Sequence, residues 1–229
     1  MSFLNIYKVS HIPTISNECI KNINILTHPH GGLICTFISY KEDSSQKSNF
    51  PQKIKISYFN EAESKWSIPK IIHQSNCEKY FSHVCYFDLK GSIVLLYNEN
   101  GNVCLKTSHN YGKSWSEPVI IFDNEPYWIF HNKPIFIIEG KVLVPVFHML
   151  NGRSFVIIAN AFGKNWFISN YIELPDEFND DEYYNNENFN TNEKFHSDLH
   201  QNKQNLIYHQ LFPALTYCGD NNINMHFRI

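Results

Sequence analysis

The sequence predicts an all-β protein made of four-stranded antiparallel sheets that recur about every fifty residues. Three observations predict it. Of the 229 residues, 43% are hydrophobic, 18% charged and 15% aromatic, with 18 Phe and 13 Tyr; such side chains suit a pleated, half-buried surface. Alanine is scarce, and no long stretch carries a sustained i, i+3, i+4 apolar pattern, so helix is disfavoured. Two independent landmarks, a tryptophan after a polar turn and a glycine turn between apolar strands, share one period.

The first landmark falls at Trp66, Trp115 and Trp166. KIKISYFNEAESKW leads to Trp66, NVCLKTSHNYGKSW to Trp115 and SFVIIANAFGKNW to Trp166, followed by SIPKII, SEPVII and FISNYI. Each is strand, polar turn, strand, a hairpin pattern in which Gly and Asn supply the positive φ that tight turns need. The second landmark lies between the tryptophans. ILTHPHGGLICTFISY, HVCYFDLKGSIVLLYNE, NKPIFIIEGKVLVPVFH and LFPALTYCGDNNINMHFRI are each two apolar strands around a turn with Gly32, Gly91, Gly140 or Gly219. Two hairpins per repeat make four strands, the unit of a propeller blade. A β-sandwich with coincidental spacing is the alternative.

The expected units run from about 20 to 75, 80 to 123 and 129 to 175, and a fourth opens near 207 with two strands before Ile229. This is a β-propeller of about three and a half four-stranded blades within a single domain, 1–229. The segment 176–206 is acidic, Asn-rich and nearly free of aliphatic residues, and reads as a mobile surface insertion. Residues 1–19 can add a strand to another blade.

Composition also sets expectations about partners. The net charge is −3 and no basic stripe appears, so nucleic acid is not an expected partner. No apolar run is long enough to span a bilayer, and the N-terminus lacks the charge-then-apolar order of a signal peptide; a cytoplasmic location is expected. The six cysteines are scattered without a C-x-x-C, and no N-x-S/T acceptor occurs, a pattern that suits reduced thiols in a non-secreted protein. Among twelve histidines, His28-Pro29-His30 and His196/His200 are close pairs. Neither has the nearby third ligand that a zinc site wants, so no metal is expected. No phosphate loop, nucleophile elbow or Cys–His nucleophile pattern occurs, and no cofactor is expected.

Ser108-His109-Asn110-Tyr111-Gly112-Lys113-Ser114-Trp115 matches S-x-D-x-G-x-x-W with Asn for Asp. Either side chain can accept backbone N–H bonds in the turn. The third repeat keeps Gly163 and Trp166 but has Ala159 and Ala161 at the polar positions, and the first keeps only Trp66. This box resembles the Asp-box of sialidases and other BNR-repeat proteins. The order of segments from Leu33 to Ile229 is similar to that of the bacterial-type predicted neuraminidases: Ser116-Glu117-Pro118 after the box, Asn132-Lys133-Pro134, Gly140 to Pro145, then Pro213-Ala214-Leu215 leading to Arg228.

The resemblance implies a six-bladed sialidase-type propeller, incomplete here, and an exo-sialidase reaction using a Tyr–Glu pair, an Asp acid/base and three arginines on the sugar carboxylate. Arginine suits that clamp because its planar fork binds carboxylate bidentately. The chain has two arginines, Arg153 and Arg228, so the full clamp is not expected, and a glycosidase of doubtful activity or a non-catalytic carbohydrate- or protein-binding propeller follows. Arg228 either matches the family's site-facing arginine or is an exposed terminal residue; Arg153 is either a site residue or a surface charge. Glu42 and Asp43 are the candidate acids, against a solvated loop. His83, His131, Asn132, Lys133 and His209 enter the inner strands, where they face the axis and a ligand or cap their strands. The expected partner is a glycan or glycoconjugate. An unfinished propeller also exposes strand edges, which self-association or another partner would cover.

Overall fold

A computed structural model describes residues 10–13, 17–41, 51–75, 81–125, 127–130, 132–137, 140–160 and 165–172, together with the backbone of 214–219 and 222–226. The expected insertion at 176–206 lies outside these residues. The chain divides into two compact units, Met1–Pro126 and Tyr127–Ile229. The described residues form strands and turns with no helix, and all strand pairing is antiparallel. None of the sheets closes into a barrel. No helix among the described residues is long and apolar enough to cross a membrane.

The first unit holds two sheets. One contains β1 (Glu18–Thr27), β2 (Leu33–Lys41), β3 (Gln52–Asn60), β4 (Lys65–Trp66) and β5 (Lys70–Ser75). Both β4 and β5 pair with β3, so they act as one outer strand interrupted at 67–69. The second is a plain meander of β6 (His83–Phe87), β7 (Ile93–Glu99), β8 (Asn102–Ser108) and β9 (Val119–Phe122). In the second unit, β10 (Trp128–Phe130) and β11 (Ile135–Ile137) both pair with β12 (Lys141–His148), followed by β13 (Arg153–Asn160) and β14 (Phe167–Ile168). A separate hairpin joins β15 (Ala214–Gly219) to β16 (Asn222–His226). Each repeated sequence segment thus forms its own sheet.

The turns explain the spacing. Gly91 N–H donates to Asp88 O at 3.0 Å, while Asp88 Oδ1 accepts the N–H groups of Lys90 and Ser92 at 2.9 and 2.8 Å. Gly91 sits at φ +79°, a conformation costly for residues with a Cβ. Gly31 and Gly140 make the same bond, to His28 O and Ile137 O. The residue equivalent to Gly91 in the first sheet is therefore Gly31, one position before the Gly32 suggested by sequence. A break between β10 and β11 has a different cause. Phe130 pairs with Val146 and Ile135 with Leu143, leaving Val144 and Pro145 unpaired on that edge, and proline has no N–H for the ladder.

Period-2 alternation builds the core of the first unit. Ile34, Ile38, Ile54 and Ile56 of one sheet meet Cys85, Ile93, Leu95 and Tyr97 of the other. Full burial of such side chains stabilises by about 1.5–3 kcal/mol each. On the opposite face of the first sheet, Lys55 pairs with Glu18, both largely buried; removing one partner would strand a charge, which costs far more than the pair contributes. Cys19, Cys35, Cys85 and Cys104 are not in disulfides. Burial pushes the thiols of Cys35 and Cys85 up to about 11 and about 12, so both stay protonated and unreactive.

A finer repeat appears beside the outer strand of three of the sheets. Ser67, Ser116 and Ser169 accept the backbone N–H of Tyr58, Thr107 and Val156, each Oγ at 3.0 Å. The three serines return their own N–H to the carbonyls of the same residues at 2.8, 2.8 and 2.9 Å.

Candidate functional site

The Asp-box segment links β8 to β9. Ser108 Oγ, buried, accepts Gly112 N–H at 2.7 Å and donates to Asn110 Oδ1 at 3.0 Å. Asn110 Oδ1 also accepts Ser114 N–H at 2.8 Å, and Asn110 Nδ2 donates to Ser114 Oγ at 2.7 Å. The turn closes with Trp115 Nε1–H on Gly112 O at 3.1 Å, and the indole packs on the core. Asn110 thus supplies the acceptor bonds of the turn without a charge. Removing the Ser108 hydroxyl leaves Gly112 N–H buried without an acceptor, so Ser108→Ala should cost about 2 kcal/mol, measured as a lower urea midpoint followed by tryptophan fluorescence.

The turn also reaches the other sheet of its unit. Tyr58 OH donates to Tyr111 O at 2.8 Å. Tyr111, at φ +58°, holds a bulky side chain in the left-handed region, a conformation that costs on the order of 1–3 kcal/mol. Its ring lies 4.7 Å from that of His28 and 5.4 Å from that of His30. His30 Nε2 is 3.1 Å from Tyr111 OH, and His30 N–H donates to His28 Nδ1 at 3.1 Å. The pair His28-Pro29-His30, a histidine pair without a third ligand in the sequence, therefore acquires Tyr111 from a distant segment. Burial, then the charges of His30 and Lys113, hold the His28 imidazole below its ordinary value.

Two further histidines bridge the sheets of this unit. His83, fully buried, is gripped by an amide clamp from the irregular stretch of β1: its N–H donates to Asn22 Oδ1 at 2.6 Å, and Asn24 Nδ2 donates to its carbonyl at 3.3 Å. Its Nε2 lies 2.9 Å from Thr36 Oγ1, and its Nδ1 has no hydrogen-bond partner among the described residues. Burial pushes its pKa down to about 3. His73 of β5 meets Glu99 of β7 at 2.9 Å and stacks on Tyr97 at 4.4 Å. Its pKa is also lowered, because burial outweighs the opposing pull of Glu99.

The structure disperses the residues singled out by sequence. His83 is in the core of the first unit, away from solvent. Asn132, half-buried, and Lys133, exposed, lie in the break between β10 and β11. Arg153 is exposed at the start of β13, paired across the ladder with His148, two strands from that break. Glu42, Asp43, His131, His209 and Arg228 lie outside the described residues. No group of three or more His, Cys, Asp or Glu among the described residues is placed to hold a metal. The His28–His30–Tyr111–Lys113 corner was missed as a unit; its local signals are the H-P-H tripeptide and an aromatic inside the Asp-box.

No protein-family profile matches the chain, and no curated protein matches it. Among solved structures it is similar to a protein of unknown function from Dyadobacter fermentans DSM 18053, with a TM-score of 0.55 and 11% identity over 72% of this chain. The match spans 57% of the length of the Dyadobacter protein. At this identity the likeness concerns the fold. A second match, polysaccharide lyase Uly1, has a TM-score of 0.30 and 10% identity, covering 68% of this chain and 50% of the lyase.

Proposed function

We propose that the chain is part of a sialidase-like, Asp-box β-propeller that recognises carbohydrate without hydrolysing it. The observation that carries this reading is the Asp-box turn itself. Ser108, Asn110, Gly112 and Trp115 close one bonded turn inside a series of sheets that repeats down to the serine bond beside the outer strand of three of them. The separate antiparallel sheets suit a propeller's radial arrangement of blades. Repeats of this kind identify a scaffold, whereas activity depends on the site built upon it.

The case against hydrolysis rests on the arginines. The chain has two, Arg153 and Arg228, and the resemblance implies three on the sugar carboxylate. Arg153 is exposed on β13. Lysine carries the charge but not the planar fork. The purified chain is expected to leave a fluorogenic sialoside intact while showing saturable binding on a glycan array. Robust turnover by the chain would overturn the non-catalytic reading.

A further inference from the structure

We propose that His28, His30, Tyr111 and Lys113 form a subsite for the oxyanion, a carboxylate or sulfate, of an acidic saccharide. The saccharide half of this proposal rests on the function proposed above; the oxyanion half rests on the geometry alone.

The corner is formed by the β1–β2 turn and the β8–β9 turn of the first unit. His30 N–H on His28 Nδ1 leaves His28 Nε2 as the N–H of the neutral ring, so that atom can only donate. Tyr111 OH and His30 Nε2, 3.1 Å apart, share one hydrogen. When the phenol donates to His30, His30 Nδ1 carries the other proton and is a second donor. Lys113 is exposed, and its ammonium makes no hydrogen bond or ion pair among the described residues.

The charge balance points the same way. The charges acting on His28 are those of His30 and Lys113, both positive when present. The carboxylate of Glu61 accepts Gly32 N–H at 3.0 Å and keeps its charge, and it is not among the charges acting on His28. Asn110, at the centre of the same turn as Lys113, makes its bonds without a negative charge. A set of neutral donors beside an ammonium that makes no ion pair among the described residues is matched by an anion with several acceptor oxygens, since charge-assisted bonds are the strong ones. Tyr111 meets Phe87 edge-on at 6.4 Å, and both pack against the core of the unit, which ties the corner to that core.

The test follows imidazole resonances by NMR at neutral pH, with sodium sulfate, a sulfated tetrasaccharide and a neutral tetrasaccharide as probes. Sulfate should shift the His28 and His30 signals saturably, the sulfated tetrasaccharide should bind at least about tenfold more tightly, and the neutral one should not bind the corner. Lys113→Ala and Asn110→Asp should each weaken binding about tenfold, one by removing the cation and the other by placing an anion beside it, with thermal midpoints close to wild type. The absence of a saturable shift overturns the subsite, as does unchanged affinity in Lys113→Ala. Equal affinity for sulfate and the sulfated tetrasaccharide overturns the saccharide assignment.

Discussion

Gly112→Ala is expected to destabilise the first unit by about 3 kcal/mol, the sum of a backbone cost and a steric one. Gly112 has φ +85°, where an L-residue costs roughly 1–2 kcal/mol. A Cβ there would also lie 2.5 Å from Ile56 Cδ1 and 2.7 Å from Tyr58 OH. The isoleucine methyl can turn away, but Tyr58 OH is held by its bond to Tyr111 O. Forcing extra volume into such a site costs about 1–3 kcal/mol. Gly91→Ala separates the two terms. Gly91 also has positive φ, +79°, but an added Cβ would meet nothing within 4 Å, so the loss should be only the backbone part. Urea midpoints of the two variants measure the difference. Equal losses would mean that the Asp-box turn does not pack on Ile56 and Tyr58 as described.

Acid should weaken the first unit through His83. Its folded pKa is lowered to about 3 by burial, against an ordinary value near 6.5. A histidine with a depressed folded pKa binds its proton more readily when unfolded. Its contribution is therefore fully present above about pH 6.5 and is lost progressively as the pH falls toward 3. Between pH 7 and pH 5 the loss amounts to about 2 kcal/mol. No charged side chain is among the groups bonded to the His83 ring, whose contacts are Thr36 and Asn24, so nothing there compensates the imidazolium. His73, lowered by burial, acts in the same direction. His83→Gln keeps a polar side chain without a titrating group and should flatten the dependence of the urea midpoint between pH 7 and 5, even though it lowers stability at pH 7. A wild-type midpoint that does not change over this interval would contradict the buried position of His83.

What the sequence revealed and what it concealed have physical reasons. Strands and sheet limits were legible because alternation and turn glycines are local signals, and one sheet forms from each repeat. The Asp-box was legible for the same reason: its bonds, from Ser108 to Trp115, span at most four residues. His83 could not be read. As a polar residue at the mouth of β6 it could be read as an axial ligand or as a strand cap, and its partners Asn22 and Asn24 lie 61 and 59 residues earlier. Tyr111 joins His30 across 81 residues, so a tripeptide that looked like half a metal site is part of an aromatic corner. Adjacent glycines hid which one, Gly31 or Gly32, occupies the turn position shared with Gly91. The outer-strand serines were half-visible: Ser67 and Ser116 directly follow a tryptophan, whereas Ser169 comes three residues after Trp166.

The break at Asn132 and Lys133 shows how a resemblance and a physical cause can meet at one place. The N-K-P segment was singled out by family likeness, and the structure puts it where β12 carries Pro145 and the ladder is open. Lys133 beside this opening is exposed. Arg153 does not join this group, because it lies on β13, with β12 between it and that edge.

The most direct test of carbohydrate recognition is a glycan array probed with the purified 229-residue chain. Saturable binding concentrated on acidic glycans, reduced in Lys113→Ala, is the predicted result. A folded chain that binds no glycan on the array would contradict the account.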